Sequence, residues 1–230
     1  MNDISSRLQS VREQVAAAAR NAGRDPDDVE LVAVSKAHGP PAVREAFDAG
    51  QRVFGESRAQ EMIAKVPGLP SATRWHFIGH LQKNKIRKVL PLVELIHAID
   101  SVELAMEIDR IGGELGLFPR VLLEVNVAGE QTKFGFTPAA VRQHIEHLLV
   151  LPRVQIEGFM TIAPIAERAE DARPIFAELR ALRDSINRQA GSRLTTLSMG
   201  MSADFVVAVQ EGATLVRVGS AIFGPRSNPQ

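Results

Sequence analysis

Apolar positions recur along this chain in two rhythms. In residues 1–23 they fall at Ile4, Leu8, Val11, Val15 and Ala22, near one face of a helix, and Gly23 is a natural stop. The polar turn Arg24-Asp25-Pro26-Asp27 follows. From there short, β-branched apolar runs alternate with longer amphipathic ones. The short runs predict strands at 31–36 (LVAVSK), 52–56, 74–79, 95–100, 121–126, 156–162, 195–200 and 215–220. The longer ones predict helices, among them 41–49, 101–115, 138–149 and 166–189. Near-continuous apolar runs suit strands buried on both faces of a parallel sheet. Eight strand–helix units predict an α/β fold, a (β/α)8 TIM barrel, as one domain over residues 1–230 with 1–23 as an extra helix packed on the barrel. The rival is an open doubly wound sheet. No GxGxxG follows the first strand, which counts against its dinucleotide-binding form.

Composition narrows the function. The 230 residues carry 27 Lys+Arg and 27 Asp+Glu, so the formal net charge is zero. That balance argues against nucleic acid or an anionic membrane as a partner, since both call for a basic excess. No apolar stretch reaches the length of a spanning helix. The first twenty residues are amphipathic and charged, without a signal-peptide core, so a cytoplasmic protein is expected. Cysteine is absent, which excludes disulfides, thiolate catalysis and cysteine-based zinc sites. Tyrosine is absent too, which removes one class of catalytic acid/base.

In a parallel α/β fold the C-terminal strand ends form the ligand face. Here the polar interruptions at those ends are Ser35, Lys36, Glu56, His76, Asp100, Asn126, Thr161, Ser198 and Arg217, with Gly79, Met160, 198–200 and 217–220 beside them. Lys36 ends an apolar run. Desolvation there favours a neutral amine, the nucleophile that forms an imine with an aldehyde. The competing reading is a strand-end lysine whose stem snorkels to water. Residues 197–204 read as strand, turn and helix start, with Ser202 as N-cap, Asp204 in the first turn and Gly212 as the stop. Residues 216–224 read as strand, glycine turn and short helix. The loops after the seventh and eighth strands are where barrels often bind phosphate, here on Ser202, Gly219 and Ser220. The same residues equally suit capping and turns. Arg217 inside the last strand needs a partner: a ligand acceptor, a phosphate, or an ion pair with Glu56 or Glu124. His76 and His80 have metal-pair spacing only on a helix, and WHFIGH reads as strand and turn, so hydrogen-bonded packing is the favoured reading. The basic run 83–88 reads as a solvated helix face. Lys133, in a glycine turn, has no role on this reading.

Taken together, AVSK (33–36), FGES-x-x-QE (54–61), WHFIG-x-LQ-x-NK (75–85), VN-x-x-x-E-x-x-KFG (125–135), GFM (158–160), LSMGMS-x-D (197–204) and VR-x-GSAIFG (216–224) resemble the pyridoxal phosphate homeostasis proteins, the YggS/PROSC family. The motifs run in order along almost the whole chain. The resemblance implies the fold type III barrel of the alanine racemase N-terminal domain, with pyridoxal 5′-phosphate (PLP) as cofactor. It implies Lys36 as the lysine that holds PLP as a Schiff base. Ser202, Gly219 and Ser220 are implied as phosphate positions, Arg217 as the partner of the pyridine nitrogen, and Ser198 and Met199 as neighbours of ring or phosphate. One departure stands out: the family reads GEN where this chain has Gly55-Glu56-Ser57. An arginine is a permanent cation, so it weakens the ring as an electron sink. Racemases of this fold add a tyrosine from a second domain, and this chain has no tyrosine. The expected function is therefore a monomeric PLP carrier in intracellular PLP homeostasis, without established catalysis, serving PLP-dependent apo-enzymes. The alternatives are a racemase-like PLP enzyme with another second base, and a barrel for a phosphorylated metabolite without PLP.

Overall fold

A computed structural model describes residues 3–130 and 133–225. Residues 1 and 2 of the expected first helix, the two variable positions 131 and 132 of the KFG motif, and the last five residues of the expected 1–230 domain lie outside the described residues. The chain opens with α1 (Ile4–Asn21), whose first turn is capped by Asp3 accepting from the Ser6 N–H at 2.8 Å. Eight strands follow in alternation with helices: β1 (Glu30–Val34), α2 (Pro40–Asp48), β2 (Val53–Glu56), α3 (Ala59–Lys65), β3 (Arg74–Phe77), α4 (Ile86–Val89), β4 (Leu95–Ile99) and α5 (Val102–Leu115). The second half runs β5 (Arg120–Glu124), α6 (Pro138–Leu149), β6 (Gln155–Met160), α7 (Arg173–Ala190), β7 (Thr196–Ser198), α8 (Phe205–Gln210), β8 (Leu215–Val218) and α9 (Ser220–Phe223). The strands are all parallel and close in sequence order, β8 pairing back to β1. The expected (β/α)8 barrel is the fold, and the open sheet is excluded by the β1–β8 pairing.

Local chemistry sets the helix boundaries. Ser101 and Thr137 cap α5 and α6, accepting from the N–H groups of Leu104 and Ala140. Gly116 ends α5 in the left-handed conformation, with φ of 68°. The helix expected at 166–189 begins only at Arg173, after a short 3-10 turn at Ala169–Ala172. Pro174 explains the late start: it fits the first helical turn and disfavours one running through it.

The period of two along each strand divides the core. Outward positions such as Ala33, Phe54, Phe77, Leu123 and Val216 join the helices in one large cluster. Inward positions Val32, Val53, Leu95, Leu122, Met160 and Leu215 form a separate luminal cluster. Helix α1 buries Ile4, Leu8, Val11, Val15, Ala18 and Ala19 and packs beside α2, α8 and α9. Side chains thus fill the lumen, which leaves the C-terminal strand ends to build a site.

Candidate functional site at the C-terminal mouth

Strand parity continues past the strand ends. Lys36 keeps the inward phase of Val32 and Val34, two residues beyond the end of β1. Arg217 and Gly219 keep the inward phase of Leu215. These residues, with Ser57, Ser202 and Ser220, line one cavity of about 310 Å3 at the barrel mouth. Val34, His38, Ile78, Ile162, Met201, Ala203 and Gly224 complete its wall. Its polar groups are few and convergent, as ligand cavities require. Lys36 itself is half-buried in the turn between β1 and α2.

That turn is tightly held. Lys65 on α3 donates to Glu56 at 2.6 Å and to the Ser35 carbonyl at 3.0 Å, and both charged residues are buried. The other Glu56 oxygen accepts from the Ser57 N–H at 2.8 Å. Ala37 adopts a left-handed φ of 62°, and its N–H donates to Glu61 at 3.1 Å. A residue with a Cβ pays for that conformation, so the ion pair and the Glu61 bond fix the turn that presents Lys36.

Gly219 and Ser202 meet at the other end of the cavity. Ser202 Oγ accepts from the N–H of Gly219 at 3.2 Å and of Ala221 at 3.4 Å. This corrects the expectation of Ser202 as N-cap of the helix after β7. Asp204 holds that boundary, with its carboxylate accepting from the Met201 N–H at 2.6 Å. Gly219 leaves little room: a Cβ there would lie 3.2 Å from the Val34 carbonyl oxygen.

Arg217 is buried and forms no ion pair within 4 Å among the described residues. It donates to Ser198 Oγ at 2.6 Å and to the Thr161 carbonyl at 2.9 Å. Neither carboxylate expected as its partner bonds to it. Glu56 is taken by Lys65, and Glu124 acts on it only through space. Burial draws the Arg217 pKa down to about 10, which leaves it a cation at neutral pH. Glu124 is pushed up by burial first and by Asp100 second.

Ser198 therefore sits below the cavity as the support of Arg217. Met199 does not face it: as the next residue along β7's direction it has the opposite phase, and its side chain is buried in the outer core. His76 is buried in the lumen, bonded to His97, and lines a second cavity at the opposite, N-terminal mouth with Glu94, Arg74 and Arg120. His80 is exposed, 2.7 Å from Asp100 and stacked on Phe134. Lys133 pairs with Glu130 at 2.5 Å. No cluster of three metal-ligating side chains occurs among the described residues. Sequence reading missed His38, which lines the cavity and stacks on Phe223 at 5.2 Å. Its pKa is lowered by burial first and by Lys65 second. It stands two residues past Lys36 in the same turn, and that spacing is the signal available for it.

Residues 6–227 match the family of the alanine racemase N-terminal domain. The pyridoxal phosphate homeostasis protein of Aquifex aeolicus is 43% identical over 221 residues, covering 96% of this chain and 97% of its own. The solved structure of PipY from Synechococcus elongatus with PLP bound is 43% identical, covers 96% of this chain and 100% of that one, and superposes with a TM-score of 0.85. An alanine racemase from Clostridium difficile shares the fold, at 19% identity and a TM-score of 0.72, and this chain spans 58% of it. With relatives this similar over nearly its whole length, the chain belongs to the family of pyridoxal phosphate homeostasis proteins.

Proposed function

We propose that this protein binds PLP at the barrel mouth through Lys36 and serves intracellular PLP homeostasis without turning over amino acids. The observation that carries the reading is the convergence of a lysine, a buried arginine and a serine–glycine cradle on one cavity. These groups fit the chemistry of PLP, which supplies an aldehyde for an amine, a pyridine ring and a phosphate when bound. Lys36 offers the amine. Ser202 Oγ accepts from the N–H groups of Gly219 and Ala221, which leaves its own hydroxyl proton to donate to a phosphate oxygen. Arg217, held by neutral partners, keeps its charge for the ring nitrogen and keeps that nitrogen unprotonated.

The same geometry supports a non-catalytic role. Proton transfer at a bound amino acid needs an acid/base group within roughly 2.6–3.2 Å or one water away. Neither His76, His80 nor Glu56 lines the cavity. His38 does, and it is the one observation that favours a racemase-like reading. We place the protein in the cytoplasm as a monomer acting as one unit over residues 1–230. In support, the cavity is built within one chain, and no described helix is long and apolar enough to cross a membrane. Its partners on this reading are PLP and the PLP-dependent apo-enzymes that receive it.

The test uses PLP-loaded protein with single-enantiomer amino acids and, separately, with an apo-enzyme acceptor. The expected outcome is turnover no faster than with free PLP, and reactivation of the acceptor. Sustained turnover lost in both Lys36→Ala and His38→Ala overturns the carrier reading in favour of the racemase-like one.

A further inference from the structure

Beneath the cavity, four polar side chains from β8, β7, β4 and β3 form a line across the barrel lumen. Arg217 Nη1 donates to Ser198 Oγ at 2.6 Å. Ser198 Oγ lies 2.9 Å from His97 Nδ1, and His97 Nε2 lies 3.0 Å from His76 Nδ1. All four residues are buried. The line runs from the ring end of the proposed site down to the cavity at the N-terminal mouth.

One end fixes its direction. Arginine carries donors only, so Ser198 must accept from Arg217. The Ser198 hydroxyl then has one proton to place, and a buried hydroxyl proton without an acceptor is costly. His97 Nδ1 is the acceptor at hydrogen-bond distance, so His97 carries its proton on Nε2 and donates it to His76 Nδ1. His76 in turn carries its proton on Nε2. The opposite direction would put two donors on the Ser198 oxygen and strand its own proton. Neutral rings are what this arrangement needs. Burial, the largest cause for both, lowers His76 to about 4 and His97 well below its ordinary value.

We propose that His97 is a positioning residue: by taking the Ser198 proton, it aims the Ser198 lone pair at Arg217 and so holds the guanidinium toward the cofactor ring. The proposal rests on the reading that Arg217 meets the ring nitrogen. It matters because Arg217 has just two hydrogen-bond anchors among the described residues, Ser198 and the Thr161 carbonyl. Removing the order from Ser198 frees one of them, and no ion pair within 4 Å holds the arginine in its place among the described residues.

The experiment combines histidine-labelled protein with two substitutions. In nitrogen NMR spectra of the full chain at pH 7, His76 and His97 should both be neutral with the proton on Nε2. His97→Asn keeps an acceptor near the place of Nδ1, whereas His97→Leu removes it. PLP affinity should fall about tenfold in His97→Leu and stay within about threefold of wild type in His97→Asn. Inorganic phosphate, which probes the other end of the site, should bind both variants like wild type. Thermal melts check that each variant is folded; if the leucine variant is not, the asparagine variant and the ring spectra decide. A proton on Nδ1 of either ring, equal losses in the two variants, or a leucine variant that binds PLP like wild type overturns the proposal. Correct ring spectra with no borohydride-fixed PLP on wild-type Lys36 overturn the cofactor reading and this proposal with it. Normal Lys36 labelling with an unaffected leucine variant overturns this proposal alone.

Discussion

Gly219 acts through the space it leaves and the N–H it offers. A side chain there meets the Val34 carbonyl just before the Lys36 turn, and its N–H already serves Ser202. Gly219→Val and Ser202→Ala should therefore each weaken PLP binding by about tenfold or more, the scale of one or two hydrogen bonds to a charged group. Pyridoxal, which lacks the phosphate, should lose much less in a titration of the same variants. Equal losses for both ligands would mean that these residues act through folding. At this scale the sequence was informative wherever a polar residue broke an apolar run. Lys36, Arg217 and Ser198 stood out for that reason. Met199 breaks no apolar run, and one step along the strand from Ser198 turns its side chain to the other face. The partner of Arg217 was beyond reach, since a serine from β7 and a carbonyl from the end of β6 meet it only in the closed barrel.

Among the elements, the strands were legible and their ends less so. The runs at 31–36 and 215–220 overshoot β1 and β8 by two residues: Lys36 already lies in a turn, and Ser220 already begins α9. Helix α3 leaves no mark in the sequence pattern, because seven residues are too few to show a helical period. Yet α3 supplies Lys65, which ties the β1–α2 turn to β2 through Glu56. Removing one member of a buried ion pair strands the other charge, at about 3–5 kcal/mol. Lys65→Met should lower unfolding stability by that amount in chemical denaturation, and adding Glu56→Gln should recover part of it. A Lys65→Met variant as stable as wild type would show that the turn is held by its backbone alone.

At the scale of the whole barrel, the lumen makes stability depend on acid. His76 has a folded pKa near 4 against an ordinary 6.5, from burial first. Between those values the unfolded chain binds the extra proton, so stability falls as pH drops from 6.5 to 4, by about 3 kcal/mol from this ring. Glu94 works in the same direction lower down. Its hydrogen bonds to Arg74 hold it near 2 against an ordinary 4.5, so its contribution, present above 4.5, is lost as pH falls toward 2. Melting temperatures measured from pH 8 to 3 should decline steadily below about 6.5, and His76→Gln should flatten the part above pH 4. A wild-type profile that is flat from pH 6.5 to 4 would contradict neutral luminal histidines. The central claim, that this barrel exists to hold PLP on one lysine, is tested most directly by borohydride reduction of the PLP-loaded protein followed by peptide mapping. The account predicts a single stable PLP label on Lys36, with the visible band and the label both lost in a folded Lys36→Ala variant. A main label on any other lysine, or a Lys36→Ala variant that keeps the band, would contradict it.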